Sequence, residues 1–453
     1  MEHHDHLLKK SSCARDEFRC ESNSIKAQRA MLQTVLLLSA GTVMTALLGS
    51  EHWLGWLLVG LTLVLPLGVA SVRSDWRLAT VVYLVIGCQH GFAFLMTFGK
   101  FRPLDLWDAS YFDTLASWAA QAPGLSLTWE LGYVTYVNLL SHVYRINNTF
   151  FTGAEVCIVL SVVSLLLAIR IARDLGVAER RLWWVAVAGL IPGSLVHLSV
   201  TYRESWQLMF LMLAICAAVR LLVRGDARWL GVLCPAVLLM GVLQKALFLY
   251  ALCMIVLVGI FMIFTLRRTI VRWGVSIGII IAVLIMTTVI WTTPTLAGFF
   301  EPMIRLIDPD ILGQISDYRE RMVNDGAPRT DYGIRYSWSD TASIVMTLGS
   351  MYLHYLFAPF DGIDRWVDLY PIAESALRFV LLACVFRGLL LGSYQQRAAI
   401  LFLIMIYLSM TLLWSIGTTN YGQGIRHHVL TNWMLFVLTA AVHKVVPKPM
   451  LKS

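Results

Sequence analysis

The sequence has few charged residues. Asp, Glu, Lys and Arg make up 14% of its 453 residues, whereas soluble domains average about 25%. Hydrophobic residues make up 58%, and the mean hydropathy is +0.69. This composition excludes an ordinary soluble protein and indicates a polytopic membrane protein. The net charge of +8 requires no nucleic-acid partner, because membrane proteins collect Lys and Arg in their cytoplasmic loops.

Several motifs of familiar chemistry are also missing. The sequence has no Walker A motif, which argues against ATP-driven transport, and no HExxH or CxxC motif. Its eight Cys residues give no disulfide framework, since most of them fall within or beside apolar runs, where Cys behaves as a small hydrophobe. Neither a metal nor another cofactor is expected.

Long apolar runs predict an all-α protein with about twelve membrane spans, because a span needs about 20 mainly apolar residues. The predicted spans lie near 30–49, 53–72, 78–98, 154–171, 182–199, 207–223, 229–243, 246–265, 274–292, 372–392, 398–417 and 430–446. Gln244 and Lys245 favour a tight hairpin, which divides the stretch 229–265 into the seventh and eighth spans. A further apolar stretch, 341–360, disturbs the alternation of Lys and Arg between loops and is left out of the spans.

The distribution of Lys and Arg predicts the orientation. Six of them lie in the polar tail 1–29, and such residues are enriched in cytoplasmic segments. Both tails, 1–29 and 447–453, are therefore expected in the cytoplasm, on either side of a single membrane domain, 30–446. Two large loops, 99–153 and 293–371, are then extracytoplasmic.

The first large loop is rich in acids and aromatics. Between residues 104 and 118, Leu, Trp and Tyr recur at helical spacing with acids interleaved, which predicts an amphipathic helix. Such a helix can lie in the membrane interface and direct its carboxylates at a cavity. A solvated loop with aromatic interface anchors is the alternative interpretation.

Other polar residues collect at the same outer pole. The segment 293–371 has several Arg residues, including Arg329 and Arg335, and guanidinium groups bind phosphate or carboxylate in a bidentate fork. Together with Lys245 and Arg426 they could hold a pyrophosphate, although a loop laced by its own ion pairs is equally compatible. Gly422 and Gly424 would allow a tight turn before Arg426, His427 and His428. Neighbouring charges of opposite sign, Arg203 with Glu204 and Glu374 with Arg378, could simply neutralise each other.

The layout of residues 80–445 resembles that of bacterial polyprenol-dependent glycan enzymes. Similarity to GT-C-type glycosyltransferases rests on Asp105-Leu-Trp-Asp108-Ala-Ser-Tyr-Phe-Asp113, the following Gly132-Tyr133, and the stretch from Pro192 to Arg203-Glu204-Ser205. Similarity to Wzy-type polysaccharide polymerases rests on Ala358-Pro359-Phe360 and on Asn420-Tyr421-Gly422 with Ile425-Arg426-His427.

The resemblance implies a glycosyltransferase that uses a polyprenyl-(pyro)phosphate-linked saccharide on the outer face of a bacterial inner membrane, as a polymerase of cell-surface polysaccharide. An acid of the first loop would deprotonate the acceptor hydroxyl, and cations would stabilise the leaving phosphate. Its partners would be the lipid-linked donor and acceptor, membrane lipid, and polysaccharide assembly and chain-length proteins. Candidate catalytic residues are Asp105, Asp108, Asp113, Arg426 and His427; candidate substrate-binding residues are Arg203, Glu204, Lys245, Arg329, Arg335, Tyr421 and His428.

Three other functions remain open from the sequence. A transporter or flippase of lipid-linked saccharide would place ionisable residues inside the spans. A membrane acyltransferase would use His427 or His428 as its base. A non-catalytic scaffold would not need outer arginines near carboxylates.

Overall fold

The computed structural model describes residues 32–47, 51–99, 107–122, 132–265, 340–358, 369–391 and 396–442, with residues 313 and 317. These ranges are helical and contain no strand. Both predicted tails, the predicted span 274–292 and most of the predicted loop 293–371 lie outside the described residues.

The described ranges consist mainly of α-helices. Their bounds are α1 (Leu32–Leu47), α2 (Trp53–Val64), α3 (Ala70–Ser74), α4 (Trp76–Phe98), α5 (Trp107–Gln121), α6 (Tyr133–Tyr144), α7 (Phe150–Asp174), α8 (Leu182–Ala186), α9 (Pro192–Leu198), α10 (Glu204–Arg224), α11 (Leu230–Val242), α12 (Lys245–Thr265), α13 (Thr341–Phe357), α14 (Leu369–Leu391), α15 (Arg397–Gly417) and α16 (Tyr421–Val442).

Among the described residues, six helices are long and apolar enough to cross a membrane, which agrees with an all-α, multi-pass membrane protein. They are α4, α7, α10, α12, α14 and α15. Three shorter apolar helical segments, Leu32–Leu47, Trp53–Gly68 and Ala227–Val242, accompany them. Helix α13, which covers most of the stretch left out of the predicted spans, has 17 residues, fewer than the roughly 20 that a span needs.

The predicted span 182–199 is not one straight helix. Two helical segments, Glu179–Leu190 and Pro192–Leu198, meet at an angle of 65°. The bend lies at Pro192, whose ring removes a backbone donor and whose fixed φ suits the first position of a new helix. Helix α9 therefore begins inside the bundle, and its residues are directed differently from those of a continuous span.

Two other predictions at the helix level are confirmed. The chain breaks between α11 and α12, at Leu243 and Gln244, as the polar pair at 244–245 predicted. Helix α5 covers most of the stretch 104–118 that has amphipathic spacing. The sequence analysis did not predict α6, which packs against α5 in the same loop.

Helix α16 occupies the centre of the bundle and is buried along nearly its whole length. It packs against α7, α10, α14 and α15, so apolar neighbours separate its polar residues from lipid. Gly422 and Gly424, which would allow a tight turn, instead lie inside the first turns of α16. The helix starts one residue after Asn420, whose side-chain oxygen accepts the Gln423 N–H at 2.9 Å, and asparagine is a favoured residue for this cap.

A polar chain connects α2, α4 and α7 within the apolar core. The Thr62 hydroxyl lies 2.8 Å from His90 Nε2, and His90 Nδ1 lies 2.9 Å from the carboxylate of Glu155. Glu155 is fully buried. Since a buried carboxylate is costly without a partner, this contact ties the three helices together.

Candidate functional site

Arg426 lies in the second turn of α16 and binds two acids from distant parts of the chain. Its Nε donates to Glu204 Oε1 at 2.5 Å, across 222 residues. Its Nη1 binds Asp108 Oδ2, across 318 residues. The first turns of α5 and α10 supply these acids, where the positive end of each helix dipole favours a carboxylate. Three of the predicted site residues are thus brought together.

Aromatic rings and a second guanidinium surround Arg426. The guanidinium carbon of Arg426 lies 4.6 Å from the ring centroid of Tyr202 and 6.0 Å from that of Phe112, distances at which a cation is attracted to a ring face. Arg203 Nε lies 3.9 Å from Glu204 Oε1. Burial, with the nearby charge of Arg426, lowers the pKa of Arg203 to about 10, so Arg203 remains charged at neutral pH.

Several polar atoms at this site are buried without a hydrogen-bond partner among the described residues. They are Arg426 Nη2, Arg203 Nε, Glu204 Oε2 and both ring nitrogens of His197. Buried polar groups are nearly always paired in native structures, so each exception requires an explanation. The group offers both donors and acceptors, which suits a polar ligand better than an apolar one.

His197 was missed by the sequence analysis. It lies on α9, with its ring 5.2 Å from that of Tyr202, and it interacts electrostatically with Glu204 and Arg426. The only signal in the sequence is a single His within a predicted span. The bend at Pro192 brings it to the site, and that bend was not predicted.

The two histidines after Arg426 point in different directions. His427 stacks on Trp414, with ring centroids 4.0 Å apart and planes 16° apart, and its Nδ1 lies 3.0 Å from Thr418 Oγ1. His428 is buried, and its Nε2 lies 2.7 Å from the Tyr355 carbonyl oxygen. His427 also interacts electrostatically with Arg426 and Glu204, whereas His428 connects α16 to α13.

Asp113 lies on α5 but has a different partner from Asp108. The Tyr144 hydroxyl of α6 donates to Asp113 Oδ1. Burial raises the pKa of Asp113, and the hydrogen bond from Tyr144 opposes that rise. The two aspartates of α5 therefore have different partners: Asp108 contacts Arg426, and Asp113 accepts a hydrogen bond from α6.

Glu374 and Arg378 attract each other electrostatically, as their spacing suggested, and each also binds groups on other helices. Glu374 Oε1 accepts the backbone N–H of Gly193 at 2.5 Å. Arg378 donates to the Leu356 carbonyl oxygen at 2.5 Å and to Asn432 Oδ1 at 3.3 Å. These contacts join α14 to α9, α13 and α16, so the pair fixes the helices behind the Arg426 group.

The remaining predicted site residues lie either outside the described residues or at the first position of a helix. Asp105, Arg329 and Arg335 lie outside the described residues. Lys245 is the first residue of α12, and Tyr421 is the first residue of α16. Within the described ranges, no group of three or more His, Cys, Asp or Glu side chains is arranged to hold a metal ion.

A second cluster of charges lies at the opposite end of α10. Asp174, at the end of α7, accepts from Arg220 Nε at 2.8 Å, from Arg224 Nη2 at 2.6 Å and from Arg170 Nε at 3.3 Å. The guanidinium of Arg220 also lies 4.2 Å from the Trp229 ring centroid. Both oxygens of Asp174 are engaged, so this cluster joins α7 to α10.

Comparisons of the chain with models of protein families, with curated proteins and with solved structures found no match. Function is therefore inferred from the residues and the geometry themselves.

Proposed function

We propose that this protein transfers a saccharide from a polyprenyl-(pyro)phosphate carrier to an acceptor hydroxyl at the outer face of a bacterial inner membrane. Polymerisation of cell-surface polysaccharide is the form of this reaction that we favour. The proposal includes about twelve spans, two large outer loops and two cytoplasmic termini. Lipid-linked donor and acceptor, together with polysaccharide assembly and chain-length proteins, would be its partners.

The contact of Asp108 with Arg426 is the observation that carries this proposal. Glycosyl transfer from a lipid phosphate needs a base for the attacking hydroxyl and a cation for the leaving phosphate. Asp108 offers a partly exposed carboxylate, and Arg426 and Arg203 offer two guanidinium groups beside it. Their arrangement at the ends of helices, where a polar head group and its lipid tail would meet, suits an amphipathic donor.

The residues suggest a division of roles. The acceptor oxygen attacks C1 of the donor saccharide, the C1–O bond to phosphate breaks, and the electron pair of that bond leaves with the phosphate. Asp108 receives the proton of the acceptor hydroxyl. Arg426 and Arg203 stabilise the charge of the leaving phosphate. Glu204 orients Arg426 by accepting a hydrogen bond from Arg426 Nε. Asp113, held by Tyr144, has no part in this scheme.

A transporter of lipid-linked saccharide is the second candidate, and a specific observation favours it. The contact of His90 with Glu155 lies inside the apolar helices α4 and α7, and ionisable residues within spans often mark transport pathways. An acyltransferase has less support, because His428 is engaged by the Tyr355 carbonyl and His427 by Trp414 and Thr418.

The test is a product assay on the full-length protein in nanodiscs, with a lipid-linked saccharide and no nucleotide sugar. Longer lipid-linked glycan, read on a gel, would support the polymerase. Asp108→Asn should abolish the product, whereas Asp113→Asn should retain at least about half of it, because an amide oxygen can still accept from Tyr144. Protein that binds the lipid-linked saccharide and forms no product would favour the transporter.

A further inference from the structure

The two carboxylates that share Arg426 differ greatly in exposure. The side chain of Glu204 is 1% exposed, whereas that of Asp108 is 43% exposed. Glu204 lies within the core and cannot return to water without a rearrangement of α10. The side chain of Asp108 is already partly in solvent, so it can leave Arg426 with far less rearrangement than Glu204.

The strength of the two contacts differs for the same reason. An ion pair with an exposed partner gains little, because water and salt screen it. A buried pair is costly to separate, because each charge is left without compensation. Arg426 therefore holds Glu204 firmly and Asp108 loosely. Once released, Asp108 remains in the first turn of α5, where the helix dipole favours its charge.

The formal charges of these four side chains also sum to zero only while Asp108 contacts Arg426. Arg203 and Arg426 contribute two positive charges, and Asp108 and Glu204 contribute two negative charges. When Asp108 leaves, one positive charge remains uncompensated, and Nη1 of Arg426 becomes free beside its unpartnered Nη2. Two adjacent guanidinium nitrogens form the fork that binds two oxygens of a phosphate.

We propose that Asp108 is a built-in counterion, which a phosphate or pyrophosphate ester displaces from Arg426 when it binds. This inference rests on the proposed function and describes how its site is regulated. In the free protein, Asp108 occupies the guanidinium edge that the ligand requires, and its carboxylate is engaged. Ligand binding frees that carboxylate to receive the proton of the acceptor hydroxyl, so the base becomes available only when the donor is bound.

The proposal predicts an unusual sign for one substitution. Asp108→Asn should bind the anion about 5–10-fold more tightly than the wild type, because its competitor for Arg426 has lost its charge. The affinity should be measured by calorimetry on the full-length protein in nanodiscs, with inorganic pyrophosphate in one series and a sugar-free polyprenyl pyrophosphate in another. A gain with both probes indicates recognition of the phosphate itself, and a gain with the lipid alone indicates a site that requires the membrane-bound form. Either gain supports displacement.

Two further variants keep the result interpretable. Asp108→Ser removes the charge in a second way and should show the same gain. Asp226→Asn, beyond the opposite end of α10, removes the same charge far from Arg426 and should leave the affinity unchanged. Unchanged or weaker binding in both Asp108 variants overturns the proposal, as does an equal gain in Asp226→Asn, which would indicate a non-specific effect of net charge.

The outcome is distinguishable from that of the proposed function. Tighter binding in Asp108→Asn by a protein whose wild type forms no product would support displacement and contradict the transferase. Product formed by the wild type, together with no gain in affinity, would support the transferase and contradict displacement.

Discussion

The two ends of α10 carry similar residues in opposite arrangements. At its end, Arg220 and Arg224 converge with Arg170 on one aspartate, Asp174, and both oxygens of that aspartate are engaged. At its start, Glu204 and Asp108 converge on one arginine, Arg426. In the first arrangement three guanidinium groups surround one carboxylate, and in the second two carboxylates contact one guanidinium group.

The two clusters differ in whether their buried polar atoms have hydrogen-bond partners. Asp174 has no oxygen to spare, whereas the start of α10 has buried atoms of Arg203, Glu204, Arg426 and His197 without partners among the described residues. Fully satisfied polar networks rigidify a fold, and incompletely satisfied ones mark strain or function. Single buried atoms without a partner also occur elsewhere in the described residues, for example at Gln89 and Glu374. The concentration of such atoms around Arg426 is what distinguishes this cluster from the one at Asp174.

The largest expected effect is a difference in thiol labelling between the two ends of α10, which we expect on opposite sides of the membrane. We expect a cysteine at Ser110, on the exposed face of α5, to react in intact cells with an impermeant thiol reagent, and one at Ala227 to remain unlabelled. Both positions are exposed in the structure, and the eight native cysteines would first be replaced. A permeant reagent should label both positions, which controls for reactivity. Equal labelling of both by the impermeant reagent would place the two ends of α10 on one side.

A smaller effect is expected on stability. Arg426→Ala leaves Glu204 buried without its main partner and should destabilise the protein by about 3–5 kcal/mol. Arg224→Ala should cost about 0–1 kcal/mol, because Arg224 is 54% exposed and Asp174 keeps two other arginines. Thermal unfolding in detergent, followed by tryptophan fluorescence, measures both variants.

A paired variant checks the cause of that loss. Glu204→Ala added to Arg426→Ala should recover most of the stability, since the uncompensated charge is removed. Glu204→Ala could instead lower the stability of the Arg426→Ala protein as much as it lowers that of the wild type. The contact between Arg426 and Glu204 would then not be the reason for the loss.

The smallest effect concerns the packing behind the site. A Cβ at Gly193 would lie 2.9 Å from Glu374 Oε1 and 3.1 Å from Ile425 Cγ2, so Gly193→Ala should cost about 1–3 kcal/mol through overpacking. Gly349, in α13, has nothing within 4 Å of the same position. Gly349→Ala should gain about 0.5–1 kcal/mol, because alanine loses less entropy in a helix. Equal results for the two variants in thermal unfolding would contradict close packing around Gly193.

Helix type and several boundaries could be predicted from the sequence, because hydrophobic periodicity and polar interruptions determine them locally. Examples are α5, with its amphipathic spacing, and the break between α11 and α12 at Gln244. The bend at Pro192 and the early start of α16 were missed. Each has a local signal, Pro192 at the bend and Asn420 before α16. The helices that follow are nevertheless held by distant parts of the chain, because α9 contacts Glu374 and other helices surround α16.

The candidate site was predictable only as a set of separate residues. Asp108, Glu204 and Arg426 were each selected for their chemistry, but no local pattern indicates that one arginine binds both acids across 222 and 318 residues. Likewise, Asp108 and Asp113 are equivalent in the sequence. The structure distinguishes them by their partners, which are Arg426 for Asp108 and Tyr144 for Asp113. Tyr144 lies on a helix that the sequence analysis did not predict. His197 had no sequence signal beyond its presence in an apolar run.

The most direct test compares one arginine from each end of α10 in the product assay. Arg426→Lys should reduce transfer at least about 100-fold, because an ammonium cannot replace the guanidinium fork. Arg220→Lys, at the satisfied cluster, should retain transfer within about twofold of the wild type. Protein abundance and unfolding temperature would be measured alongside. Loss of product in Arg426→Lys alone would support a transfer site at the start of α10, and a fully active Arg426→Lys protein would contradict it.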